Sequence, residues 1–310
     1  MMKNIFFACC FFLMNSHITH AQISTDITPV SGLINFQNLR DYCLNASGDE
    51  DFFTIQSPNG EISQIATRKK INGNWSSPEL MPFCDAFMYL EPFLTTNGLT
   101  LYFVSDRPLN DGDTIKKDFD IWMVKRAAIT AAWSKPVNLG TPVNSTNDEF
   151  YPSLTTSGDL YFTMAAPEGM GKDDIYMCKM TSTGYEKPTI LPSPINSAGY
   201  EFNAFISPDG NILIYTKYNA PGGFGSGDLY IAKKDNGGNW QEPQNMGTDL
   251  NSMYMEYCPF YHYPTATLYY TSRRCNLTPK TFNDVNELQQ YISGNENGNS
   301  RLYYRKMKIE

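Results

Sequence analysis

The chain has 310 residues, of which 41% are hydrophobic, 14% aromatic and 18% charged, with a net charge of −8. A chain of this length can bury enough surface to fold without a disulfide framework or a structural metal. The acidic balance argues against nucleic acid or an anionic membrane surface as partner, because both select basic patches.

The first residues read MMKNIFFACCFFLMNSHITHAQIS. Lys3 is followed by an apolar run from Ile5 to Met14, and Thr19 and Ala21 place small residues three and one before a cut. This is the pattern of a secretory signal over 1–21, and it predicts an exported protein: periplasmic, outer-membrane-associated or extracellular. The run is too short to span a bilayer core, which needs about 20 apolar residues. An acylated Cys9 or Cys10 would leave an even shorter run before it. Cys43, Cys84, Cys178, Cys258 and Cys275 remain after the cut, without C-x-x-C spacing, and His262 is the one histidine certain to remain. Neither a metal site nor a His-dependent triad is therefore expected, and no cofactor is. Export permits disulfides, but an odd count leaves one thiol over; buried small hydrophobes are the simpler reading.

From residue 40 onward the chain repeats. LNASGDEDFFTI, LTTNGLTLYFVS, LTTSGDLYFTM and ISPDGNILIYTK align on Gly48, Gly98, Gly158 and Gly210, and YHYPTATLYYTS aligns with Thr265 in the glycine position. DIWMVK, DIYMCK, DLYIAK and RLYYRK follow in register, with SQIATR as a degenerate first copy. Then come WSSP, WSKP, YEKP and WQEP, and three copies close on an apolar residue followed by Asn-Ser, at Ser145, Ser197 and Ser252. Each copy holds four short strand candidates, A to D, separated by turn residues and without a helical period. Four antiparallel strands recurring every 50 to 60 residues predict an all-β fold, a β-propeller of five four-stranded blades. The blades are expected near 40–85, 86–145, 146–197, 198–252 and 253–310, in one domain over 22–310. The fifth copy lacks strand D. Residues 29–35, PVSGLIN, resemble PVNLGTPVN of the second copy, so this segment is predicted to supply the missing outer strand and close the ring.

The pattern E-x-x-P-x-x-S-x-D-G-x-x-L-Y-F, then G-G-x-G-x-x-D-I-Y, then W-x-x-P-x-N-L-G resembles the TolB-type, WD-like β-propeller repeat. Copies two, three and four carry it, and the repeat covers essentially the whole chain after the signal. The resemblance implies a propeller fold and a periplasmic or outer-membrane-associated setting. It leaves function open among scaffolds, partner-binding modules and propeller halves of larger enzymes.

Strand order puts the A–B and C–D turns on one face, here the bottom, and the B–C and D–A connections on the other, the top. The B–C loops near 107–117, 165–172, 219–227 and 276–299 are the long ones, so the top face is the predicted binding surface. In the last of them Phe282, Val285, Leu288 and Ile292 are spaced as on one face of a short amphipathic helix. Such a helix would cap the channel or dock a partner.

Glu149, Glu201 and Glu256 share one repeat position, at the start of the innermost strand. Tyr89 takes that place in the second copy, with Glu91 two residues on, and Leu39 in the first. Carboxylates converging on the channel mouth could bind a cation or a sugar, or serve as acid and base. Alternatively each performs the same structural task in its own copy, hydrogen-bonding a neighbouring loop. Asp120, Asp174 and Asp228 read as turn caps, and the repeat-periodic Trp75, Trp133 and Trp240 as packing. GGFGSGD lacks the lysine and helix of a phosphate loop. The expected function is a monomeric, non-enzymatic propeller binding a protein or glycan partner through its top face, with Glu149, Glu201, Glu256, Tyr89 and Glu91 as binding candidates. The rivals are a glycosidase or polysaccharide lyase with channel-mouth acids, and a structural component of the envelope.

Overall fold

Each repeat folds because a Gly-turn hairpin is followed by a second antiparallel pairing. In the computed structural model, which describes residues 27–309, the turn glycines Gly48, Gly98, Gly158 and Gly210 adopt φ between 71° and 94°. A side chain resists that left-handed region, so glycine recurs there. In the fifth copy the equivalent left-handed residue is Ala266, at φ 46°, and not Thr265. A short 3-10 turn over Tyr263–Thr265 moves the left-handed position one residue along without lengthening the hairpin, and the turn-closing hydrogen bond runs from Ala266 N to the Tyr263 carbonyl.

Five antiparallel sheets result. From the axis outward, the first blade is built of Leu39–Leu44, Glu50–Gln56, Ser63–Ile71 and Glu79–Leu80. The second comprises Tyr89–Leu94, Thr100–Ser105, Asp120–Lys125 and Val137–Asn138. The third comprises Glu149–Leu154, Leu160–Met164, Asp174–Cys178 and Thr189–Ile190. The fourth comprises Glu201–Ile206, Ile212–Tyr218, Gly227–Lys233 and Gln244–Asn245. The fifth has Glu256–His262, Thr267–Ser272 and Arg301–Lys306, and its outer strand is Thr28–Pro29 from the other end of the chain. The fold is thus a five-bladed β-propeller.

The closing segment differs in detail from the expected 29–35. Thr28 and Pro29 pair with Tyr304 and Tyr303, Val30 N bonds the Leu302 carbonyl at 2.9 Å, and the chain then turns at Gly32. Outer strands are equally short in the other blades. Met81, Leu139, Leu191 and Met246 donate the bond that Val30 donates here, to Ile65, Ile121, Ile175 and Leu229. The turn after Val30 buries Leu33 and offers carbonyls to two arginines: Arg68 bonds Ser31, and Arg301 bonds Ile34 and Phe36. Arg301 stands where three other blades begin strand C with aspartate. That substitution follows from closure, because this blade must hold a foreign segment by its carbonyls.

Apolar side chains of adjoining sheets fill the spaces between blades. The half-buried Trp75, Trp133 and Trp240 lie under the cations of Arg68, Arg126 and Lys234, with 4.3 to 4.7 Å from cation to ring centroid. The five cysteines among the described residues carry free thiols, and Cys43, Cys178 and Cys258 are buried. In the last top loop a helix, Val285–Ser293, is capped by Asp284, whose side chain accepts Glu287 N. Its Val285, Leu288 and Ile292 are exposed. Among the described residues no helix is long and apolar enough to cross a membrane. The predicted signal over 1–21 lies outside the described residues.

Candidate functional site

The three-residue close of the second, third and fourth copies and the glutamate that follows each form one device. Val143, Ile195 and Leu250 are buried. The next residue, Asn144, Asn196 or Asn251, clamps strand C of its own blade by exchanging two amide bonds with Ile121, Ile175 or Leu229. The serine then donates backbone N and Oγ to the glutamate four residues on. The distances are 3.1 and 2.5 Å for Ser145 to Glu149, 3.0 and 2.6 Å for Ser197 to Glu201, and 2.7 and 2.8 Å for Ser252 to Glu256. In the second copy the polarity is reversed, and the Tyr89 hydroxyl donates to Asp85 four residues before it, at 2.8 Å. Glu149, Glu201, Glu256 and Tyr89 are at most 1% exposed, and none of them lines the cavity at the channel mouth.

The three glutamates differ in one respect. Lys217 lies 3.5 Å from Glu201, and Arg274 lies 3.5 Å from Glu256, but among the described residues Glu149 has no cation and its Oε2 is buried without a partner. Burial pushes its carboxyl up to about 7, against the Ser145 bonds, which lower it. Unfolded, the group titrates near 4.5. The folded state therefore holds the proton more tightly. Its contribution to stability is full below about pH 4.5 and is lost as pH rises through about 7. Glu149→Gln should flatten the pH dependence of stability, gaining about 2 kcal/mol on the wild type between pH 5 and pH 8. Urea denaturation at the two pH values measures this, and parallel curves for the two proteins would refute it.

Two residues beyond each of these positions lies the group that meets the axis. Every innermost strand slips register there, between residues 40 and 43, 90 and 93, 150 and 153, 202 and 205, and 257 and 260. The slip is a β-bulge whose central residue is left-handed although not glycine: Asp41, Glu91, Tyr151, Asn203 and Cys258, at φ 52° to 60°. Left-handed backbone at non-glycine residues is costly and gathers at functional sites. The five side chains form a buried ring around the axis. Asp41 Oδ2 accepts Glu91 N, Glu91 Oε2 accepts Tyr151 N at 2.6 Å, and the Cys258 thiol donates to Asp41 Oδ1 at 2.7 Å and faces Asn203 Oδ1 at 3.4 Å. Arg40 joins both acids, with Nε 2.8 Å from Asp41 and Nη2 2.6 Å from Glu91. Burial raises the Glu91 carboxyl, and the arginine opposes it. Burial also drives the Cys258 thiol well up, beside Asp41, so it is no nucleophile.

Above the ring opens a cavity of about 350 Å³, lined by Arg40 and Glu91, by the apolar Leu90, Phe150, Phe202 and Met255, and by Thr163, Asp173, Asn203, Tyr257 and Arg273. Its walls come from all five blades. The B–C loops around it are held by the repeat aspartates: Asp174 accepts Met170 N and Gly171 N, and Asp228 accepts Phe224 N and Gly225 N. A Cβ on Gly225 would come within 2.1 Å of the Tyr254 carbonyl, so GGFGSGD is a close-packing loop. At the opposite end of the axis a cavity of about 220 Å³ is lined mainly by apolar side chains, among them Leu44, Phe93, Leu154, Phe205 and Phe260. Polar chemistry is concentrated at the top.

Of the residues singled out from sequence, only Glu91 reaches the cavity. Arg40, Asp41, Asn203, Tyr257, Cys258 and Arg273 carry no recurring motif. The ring's column of the repeat reads Asp, Glu, Tyr, Asn, Cys, two residues after a column that holds glutamate in three copies.

No protein-family model and no curated protein matches the sequence. Among solved structures, one described as a glycoside hydrolase aligns at a TM-score of 0.54 with 10% identity, over 92% of each chain. An α-L-arabinofuranosidase from Lactobacillus brevis aligns at 0.51 with 13% identity, over 88% of this chain and 92% of that one. A putative TolB from Agrobacterium tumefaciens aligns at 0.49 with 12% identity, over 88% and 91%. Identities this low speak to the fold.

Proposed function

We propose that this chain is an exported, non-enzymatic propeller that binds a protein or glycan partner at its top face, with the cavity above the ring as the centre of the site. One observation carries the reading. Of the carboxylates around the mouth, Asp41, Glu91, Glu149, Glu201 and Glu256 are each buried and already engaged by backbone amides, hydroxyls, a thiol or arginine, which leaves Asp173 alone on the cavity without a hydrogen bond among the described residues. Glycoside hydrolysis needs one carboxyl free to protonate a leaving oxygen and a second free to attack or to hold a water. Glu149, Glu201, Glu256 and Tyr89 serve this reading by fixing the loops that frame the cavity, and Glu91 by lining it.

A second reading has its own support. Asp41 and Glu91 meet at the mouth through one arginine, and the raised Glu91 carboxyl is suited to a general acid. The fold is also that of the Lactobacillus brevis arabinofuranosidase. The two readings separate on turnover. Arabinan, arabinoxylan and pectic oligosaccharides incubated with the full chain should be recovered uncleaved. Release of sugar that disappears in Glu91→Gln would overturn the binding function in favour of hydrolysis.

A further inference from the structure

We propose that the channel mouth takes an acidic saccharide, a hexuronate residue whose carboxylate sits on Arg273 and whose ring rests against Phe150 and Phe202. The inference rests on the binding function above and names its ligand class. Two cations line the cavity, and they are not equivalent. Arg40 is committed to Asp41 and Glu91. Arg273 stands at the top end of strand Thr267–Ser272 and is exposed; among the described residues no carboxylate lies within ion-pair distance of it. Its Nε donates to Ser300 Oγ at 3.2 Å, and Ser300 is buried and held by the Tyr257 hydroxyl at 2.7 Å. The guanidinium is therefore oriented from behind, with both Nη groups available. That is the fork which receives a carboxylate in two parallel bonds.

The remaining walls specify what bears the carboxylate. Phe150, Phe202 and Met255 are half-buried and line the cavity together with Leu90. They offer apolar surface to the C–H faces of a sugar ring, as ligand sites commonly combine apolar walls with a few placed polar groups. Asp173 lines the same cavity, and its carboxylate makes no hydrogen bond among the described residues. It can accept hydroxyl protons, and it repels a ligand that is anionic throughout, such as a phosphate ester. One carboxylate, several hydroxyls and an apolar ring face together describe a uronic acid. A volume of about 350 Å³ admits one or two such rings.

Calorimetric titration of the full chain with trigalacturonate, and with the same trimer reduced at its carboxyls to a neutral sugar, tests this. The acidic trimer should bind at least about 10-fold more tightly than the neutral one, as loss of a charge-assisted hydrogen-bond pair implies. Arg273→Gln should remove that preference. Phe202→Ala should weaken both trimers. Equal binding of the two trimers by the wild type overturns the acidic ligand while leaving top-face binding intact, and so does a preference that survives Arg273→Gln. Binding of neither trimer also overturns it. If a peptide ending in a free carboxylate then titrates with the same dependence on Arg273, the site is a peptide site. Cleavage of the trimer during titration would instead sink the non-enzymatic function itself.

Discussion

Replacing Arg126 with alanine should cost about 3–5 kcal/mol, because it leaves a buried charge without its partner. Arg126 directly follows strand C of the second blade, and Glu50 begins strand B of the first. Both side chains are at most 4% exposed, and they meet in two parallel bonds of 2.9 and 2.5 Å. The same guanidinium bonds the carbonyls of Gly98 and Ile129 and lies 4.3 Å over the Trp133 ring. It thus ties the bottom turn of one blade to the sheet of the next and fixes the tryptophan of W-x-x-P. After truncation Glu50 keeps only Lys69, 3.5 Å away and largely exposed, which compensates poorly. For a domain of this size the loss corresponds to a fall in melting temperature of about 10 °C. Guanidinium denaturation of Arg126→Ala and of the pair Arg126→Met with Glu50→Gln would measure it. The pair should lose less than the single variant, since no charge is stranded. A single-variant loss below about 1 kcal/mol would show that the ion pair does not hold the two blades together.

How much of this was legible in the sequence depends on what repetition encodes. A residue that does the same work in each blade recurs, and recurrence is visible. The turn glycines, the Asn-Ser close and its glutamate, and the aspartates of strand C all belong here. The loop-fastening role of Glu149, Glu201 and Glu256 could be anticipated as the structural alternative to acid chemistry. The cavity belongs to the other kind. Its ring residues share a position and a backbone conformation but not a side chain, because each contributes a different group to a single central site. The bulge that presents them is left-handed at Asp41, Glu91, Tyr151, Asn203 and Cys258, and no glycine announces it. Arg273 falls in the loop after a strand, where the copies diverge in length. Its opening toward the cavity depends on Ser300 and Tyr257, far off in sequence. Closure was legible in kind but not in register. The likeness of PVSGLIN to PVNLGTPVN points to the right blade, whereas pairing is decided by which residues can donate to strand Arg301–Lys306. As in the other four blades, the bond comes from the residue that follows the two-residue outer strand, here Val30.

That bond yields the second large effect. Val30→Pro removes the donor to Leu302 and forces a ring into a paired edge, while Val30 itself is buried in the core between the first and fifth blades. The loss should be about 3 kcal/mol or more. In a propeller such a loss reaches further than in an open sheet. With the closing strand displaced, Arg301–Lys306 becomes a free edge, and Arg68 and Arg301 lose the carbonyls of the segment that crosses between the blades. A free edge recruits other chains. The variant should therefore associate in a concentration-dependent way on sedimentation, as well as melt earlier. Leu139→Pro is the control, for Leu139 donates the equivalent bond to Ile121 within the second blade. There the outer strand is covalently continuous with its own sheet, so local stability should fall without the ring opening. If Leu139→Pro associates as readily as Val30→Pro, the N-terminal segment is one outer strand among five and not the closure of the ring.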